Sequence, residues 1–291
     1  MRISENMRYD MVGRSLSELS TRQAEVAQQA SSGQRVSAPS DDPIAAAELT
    51  RLAAAKSSTT QFQKSVSAVR GDAQIAEGVL GEAGDTLARL HEIAMQGAND
   101  TLSAQDRVSL ADEVHTLKAH LVSLANTKGS NGFLFGGTQT DVAPFDPTGV
   151  FGGNDNAHLV EVSPGVSVRA NPSGADAFTT QGGTDVFATV DALEAGLRAN
   201  SSTAISATLD QVEASRDQIT KVRAGAGLLL DRLDATDSAL TQTQTTLGEH
   251  TIAVGQADPY QTYSDLTRLN NALTQAISVA RTTLTPGGQT G

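Results

Sequence analysis

The chain has 291 residues, 38% of them apolar and 19% charged, with a net charge of -12, 3% aromatic residues, no Trp and no Cys. Disulfides and thiolate metal sites are excluded, and without a Lys/Arg cluster neither nucleic acid nor an anionic membrane has an electrostatic footprint. A core with so few large rings must be built from Ala, Leu, Val and Ile, which suits long helices packed side by side.

Met1-Arg2-Ile3-Ser4-Glu5 opens without the apolar run of a secretory signal peptide, and no uninterrupted apolar segment is long enough to span a bilayer, so a soluble chain is expected. Tyr9, Val12, Leu16, Leu19, Gln23, Val26 and Ala30 then alternate three and four apart, the spacing of a coiled-coil seam with one polar layer at Gln23. Gly33 ends this helix, because glycine takes the left-handed C′ conformation without a Cβ clash. Asp42 and Pro43 start the next: an Asp side chain accepts from first-turn amides, and proline is tolerated at the first helical position. Residues 31–47 thus form the corner around which the chain is arranged, marked by Gly33, Arg35, Pro39, Asp41, Asp42 and Pro43. The adjacent Asp41 and Asp42 read as helix-cap chemistry rather than as a metal or acid–base pair.

The same alternation runs from Leu52, Ala55, Thr59 and Phe62 through Leu80 and Leu87 to Ala94. It predicts one helix over 43–96, roughly 80 Å long at about 1.5 Å per residue. Gly71, Gly78, Gly81 and Gly84 lie inside it at roughly 1 kcal/mol each against Ala, and predict a kink or a close neighbouring backbone. Ser103 with Asp106 reads as an acidic capping box opening a third helix, which ends near Asn126 and folds back on the second. At 128–132 the period changes. Residues 133–137 read as a short strand, and 158–162 with 166–169 flank Ser163-Pro164-Gly165 as a hairpin, so 133–184 is expected to be β-rich with thin apolar content.

Helix resumes over 185–200 with Val186, Val190, Leu193 and Leu197 on one side. Ile205, Val212, Ile219, Ala226, Leu233, Leu240, Leu247 and Val254 are apolar and seven apart, with Leu209, Arg216, Arg223, Leu230, Asp237, Gln244 and Thr251 at the alternate positions. Such a polar-interrupted seam suits the edge helix of a bundle. Asp258-Pro259 breaks that helix, and Tyr263, Leu266, Asn270, Leu273, Ile277, Ala280 and Leu284 form a last seam before Pro286-Gly287-Gly288. Read backwards, this seam carries its polar residue in the same layer as the first. The two ends are therefore expected to pair antiparallel, with Gln23 on Asn270, Tyr9 near Leu284 and Ala30 near Tyr263. A lone pair of short helices is marginal in water, so both ends are expected to order against partners.

These readings predict a mainly α fold: a long antiparallel helical bundle or coiled coil from both chain ends with a small β-rich domain inserted in the middle. The expected division is 1–40 plus 256–291, a terminal coiled-coil domain; 41–132 plus 185–255, a long-helix bundle; and 133–184, a β-rich insertion. No catalytic, cofactor-binding or metal constellation stands out. His115 and His120 are five apart and so do not share a helix face, His91, His158 and His250 are isolated, and Gly136-Gly137 and Gly152-Gly153 lack the Lys-Ser/Thr of a phosphate cradle. An enzyme is therefore not expected.

Met1-Arg2-Ile3-Ser4-Glu5-Asn6-Met7, the corner Ser32-Gly33-Gln34-Arg35-Val36 with Pro39-Ser40-Asp41-Asp42-Pro43-Ile44-Ala45, Asp106-Arg107 with Leu110-Ala111, and Leu124-Ala125-Asn126 before Gly132-Phe133-Leu134-Phe135-Gly136-Gly137 resemble the flagellin family. More narrowly they resemble its hook-associated protein 3 branch, the junction between hook and filament. Val222-Arg223-Ala224-Gly225-Ala226 to Leu233 is similar to the family's C-terminal helix. The resemblance implies a structural, non-enzymatic subunit of the bacterial flagellum, needed for motility and exported by the flagellar type III route with a dedicated chaperone and no cleaved signal peptide. It further implies a ring of copies built outside the cell between hook-associated protein 1 and flagellin, with the terminal helices as inner tube and the insertion outermost, and it implies neither nucleic acid nor membrane as partner. One departure stands out: relatives usually close with a Leu-rich apolar ending, whereas Leu284-Thr285-Pro286-Gly287 stops short of one. A filament flagellin is the alternative within the family, and a cytoplasmic signalling coiled coil the alternative from a different class; the corner and the insertion argue against the latter.

Overall fold

The computed structural model describes residues 2–284. Met1, the turn expected at 286–288, and the side chains of residues 2–6, 8, 283 and 284 lie outside the described residues. In chain order the elements are α1 (Arg2–Ser32), α2 (Pro43–Gly97), α3 (Ala104–Ala125), β1 (Lys128–Gly129), β2 (Gly132–Phe133), β3 (Leu159–Ser163), β4 (Val166–Arg169), α4 (Gly174–Phe178), α5 (Val186–Arg198), α6 (Ser202–Ser206), α7 (Leu209–Gly255) and α8 (Pro259–Leu284). The fold is mainly α, with long helices at both ends and short antiparallel strand pairs in the middle, as the spacing predicts. The chain forms two compact units, 1–58 with 244–291 and 59–243, and α2 and α7 contribute to both.

In the 59–243 unit the seam of α2 is the spine. Val66, Val69, Ala73, Ala76, Leu80, Ala83, Leu87, Leu90 and Ala94 are buried in their three-and-four alternation, each full-sized aliphatic side chain contributing about 1.5–3 kcal/mol. Three helices follow this spine. α3 runs back along α2, with Arg89 reaching Glu113 at 2.7 Å and His120 reaching Glu82 at 3.0 Å. α5 runs antiparallel to α3, tied by Lys118 to Asp191 at 2.6 Å and Arg198 to Asp112 at 3.0 Å. α7 runs antiparallel to α2, with Arg223 to Glu77 at 2.6 Å and Arg70 to Asp234 at 2.8 Å.

Several local expectations change. α2 is one unbroken helix, and a Cβ added at Gly71, Gly78 or Gly84 would meet nothing within 4 Å. Only Gly81 has a close neighbour, and that is the Arg223 guanidinium rather than a backbone. Ala55, expected in the seam, is exposed. Ser103 does cap α3 by accepting from the Asp106 amide, but the Asp106 carboxylate takes its bond from the Ser103 hydroxyl at 2.7 Å instead of from the cap amide. The heptad run from Ile205 is not one helix: Ile205 sits on α6, and the chain turns before α7. On α7 the stripe beside Val212, Ile219, Ala226 and Leu233 is Ser215, Val222 and Leu229, three residues on, whereas Arg216 and Arg223 are exposed at its side.

The middle segment has fewer strands and more apolar packing than its composition suggests. β1 and β2 form a minimal hairpin ending at Phe133, and 134–137 continue as turns with Leu134 and Phe135 buried. β3 and β4 pair as expected, with a bulge between Glu161 and Ser163 and Gly165 in the left-handed region at φ 73°. α4, capped by Ser173, carries Phe178 into a cluster with Phe135, Phe145, Phe151 and Phe187, whose ring centroids lie 5.0–5.8 Å apart. Five of the seven phenylalanines gather there, so the segment is anchored by aromatic packing worth about 0.5–1.5 kcal/mol per pair beyond area burial.

Candidate functional site

The corner is built almost entirely from main-chain groups held by a few side chains. Gly33 at φ 68° turns the chain out of α1, with its amide on the Gln29 carbonyl at 2.9 Å. The next residues clasp the α7–α8 connection: the Arg35 amide donates to the Gly255 carbonyl at 2.8 Å, and the Ala257 amide donates to the Gly33 carbonyl at 3.0 Å. The Arg35 guanidinium closes the clasp, donating to the Val254 carbonyl at 2.8 Å, the last turn of α7, and to Asp42 at 3.0 Å. A cation on helix-terminal carbonyls both satisfies them and complements the helix dipole.

The two aspartates have separate roles. Asp42 caps α2, its Oδ1 accepting from the Ala45 amide at 3.0 Å. Asp41 instead folds the loop, one oxygen accepting from the Ser37 and Ala38 amides at 2.9 and 2.8 Å. Pro39 occupies the second position of the 38–41 turn, where its fixed φ is an advantage, and the Asp41 amide closes that turn on the Ala38 carbonyl at 3.0 Å. Hydrogen bonds to charged carboxylates favour the charged form. The Ala38 and Ser37 amides hold Asp41, and the Ala45 amide and Arg35 hold Asp42, below the usual carboxylate range.

The terminal helices α1 and α8 lie against each other, and Gln23 Nε2 donates to Asn270 Oδ1 at 2.6 Å. Yet the seam is thinly covered. Val12, Leu16, Leu19, Val26, Leu266 and Leu273 are only half buried, Tyr9, Tyr263 and Ile277 are exposed, and only Ala280 is fully buried. The side chain of Leu284, expected opposite Tyr9, lies outside the described residues. Tyr260 adds to the uncovered surface at 88% exposed and Met11 at 67%.

Sequence reasoning assigns no role to three positioning residues. Arg107, 4% exposed, donates to the carbonyls of Gly97 at 2.9 Å and Asn99 at 2.8 Å and to the Asn200 side chain, tying the end of α2 to the turn after α5. Gln218 on α7 donates to the carbonyls of Ala177, Thr179 and Thr184 and accepts from the Thr184 amide. Asn126 pairs both ways with the Phe145 main chain, at 2.8 and 3.0 Å. Arg107 and Asn126 do stand in the quoted family motifs; Gln218 has no local signal. His115 and His120, both exposed, meet Glu194 and Glu82 across helix interfaces. Among the described residues no group of His, Cys, Asp and Glu is placed to hold a metal ion, and no helix is long and apolar enough to cross a membrane.

Residues 3–140 match the bacterial flagellin N-terminal helical region. Over 274 residues, 84% of this chain and 86% of the relative, the sequence is 30% identical to flagellar hook-associated protein 3 of Escherichia coli (strain K12). The chain belongs to the hook-associated protein 3 family. The Salmonella typhimurium protein of that name is 32% identical over 185 residues, 62% of this chain and 57% of that protein. Among solved structures, one described as a flagellar hook-associated protein from Vibrio parahaemolyticus is 25% identical with a TM-score of 0.69, covering 74% of this chain and 99% of that one. This hook-associated protein 3 relative is thus a flagellar component of a structural, flagellin-like family.

Proposed function

We propose that this protein joins the bacterial hook to the flagellin filament, docking on hook-associated protein 1 and assembling with copies of itself in a ring through α1 and α8. The thinly covered seam carries this reading: two helices bring together apolar stripes that neither can bury alone, and further helices would complete their coverage. In the assembled junction 1–40 with 256–291 would be the inner tube, 41–132 with 185–255 the surrounding bundle, and 133–184 the outer domain. Tyr9, Val12, Leu16, Leu19, Gln23, Val26, Tyr263, Leu266, Asn270, Leu273, Ile277 and Leu284 are the proposed assembly seams. The subunit reaches its place outside the cell through the flagellar export channel with a dedicated chaperone. A chain without cysteine and with modestly apolar ends is suited to passing unfolded and ordering on arrival.

The test is a deletion strain. Intact hooks without attached filaments, flagellin shed into the medium, and antibody label at the hook tip in the parent strain are expected. Label along the whole filament would instead make this a filament flagellin, and protein confined to the cell interior would exclude both.

A further inference from the structure

Within the 59–243 unit, a groove of about 650 Å³ opens beside α7, floored by Ala73, Ala76 and Leu229. Its α7 wall presents Lys221, Gly225, Leu228 and Arg232, which recur three and four apart and so share one helix face. Leu228 is 71% exposed. Lys221 and Arg232 make no ion pair among the described residues, in a chain whose net charge is -12. Two unpaired cations beside an exposed leucine call for a surface that brings carboxylates and a shallow place for the leucine.

The outer face of α2 has both. Ile75 is 41% exposed there, Gly78 is open with nothing within 4 Å of where a Cβ would stand, and Asp85 is exposed with no ion-pair partner among the described residues. An interior helical glycine weakens a helix relative to alanine, and among the described residues no neighbour requires one at position 78. The outward face of α3 carries no large exposed apolar residue. We propose that the α7 wall of this groove receives the outer face of α2 from a second copy, the two helices antiparallel, with Leu228 seated on Gly78. The spacing then sets the charges: Lys221 lies seven residues before Leu228 and Asp85 seven after Gly78, so the same register puts lysine against aspartate two turns away. Because the two faces differ, each copy keeps one of each free, and the contact passes from copy to copy as in a ring or helical row. The inference rests on the proposed self-assembly and names the surfaces that would carry it.

The chain has no cysteine, so Gly78→Cys and Leu228→Cys each place a single thiol. The two full-length variants, tagged differently, are produced together in the deletion strain; hook-attached protein is isolated and oxidised. A mixed-tag disulfide as the main linked species is expected, and its absence from attached protein overturns the contact. Lys221→Glu or Asp85→Lys alone should cut the attached copies about tenfold through like-charge contact, with unchanged melting of the free chain since both sites are exposed. Both changes in one chain should restore attachment, and failure to restore it rejects the pairing. If the unaltered protein never attaches to hooks, the junction reading falls, and the mixed disulfide in concentrated purified protein then decides the contact by itself.

Discussion

At the scale of single residues, the side chains that matter most are those that end helices. Arg107, itself 4% exposed, satisfies two carbonyls and an amide oxygen, so Arg107→Ala leaves all three without their donor. A loss of about 3 kcal/mol is expected, read as a lower denaturant midpoint; Arg107→Lys should recover only part, because an ammonium lacks the planar fork. Asp41 and Asp42 differ in kind, being exposed groups whose charged forms are favoured by amides and by Arg35. With folded-state pKa values below the ordinary 3.8, their contribution is present above that value and is lost as pH falls through the depressed ones. Hydrogen exchange at the Ala38 and Ala45 amides should therefore gain protection from acid to neutral pH in the native chain, and Asp41→Asn should flatten that dependence at Ala38.

At the scale of elements, the helices were legible wherever one stripe and one stop signal coincided. The ends of α1, α2 and α8 follow from Gly33, Asp42-Pro43 and Asp258-Pro259, each a local backbone restriction that acts whatever surrounds it. The second stripe of α7 was misread because the positions holding Arg216 and Arg223 lie next to the seam on the helix surface, and only α2 and the middle segment decide which side is covered. α4, the phenylalanine cluster and the reach of Gln218 were illegible for the same reason, since each joins parts of the chain that no local window spans. Gly84, with open space around it, tests the propensity argument: Gly84→Ala should stabilise by about 1 kcal/mol, seen as a higher midpoint with unchanged denaturant slope. Gln23 tests register. Gln23→Cys with Asn270→Cys should form a disulfide in the assembled protein more readily than cysteines one layer away, whereas equal crosslinking in neighbouring layers would show that the amide pair does not set the alignment.

At the scale of the whole molecule, the two units differ in how much apolar surface they remove from water. The 59–243 unit holds nearly all buried aliphatic and aromatic side chains, while among the described residues 1–58 with 244–291 contributes Val36, Ala45, Leu52 and Ala280. Local opening free energy follows such burial. Amides of α2 between Ala73 and Ala94 should thus exchange slowest in the free protein and those of α1 fastest, a contrast that should shrink once copies are assembled. Equal protection in both units of the free chain would mean that the ends are complete without company.

All three tyrosines, Tyr9, Tyr260 and Tyr263, sit exposed on the terminal helices, every phenylalanine lies in the other unit, and tryptophan is absent. The molecule therefore carries its own optical label. Tyrosine emission comes from one unit alone, so a shift in its intensity or quenching by iodide would follow the covering of α1 and α8 in real time, with no dye attached and no signal from the rest.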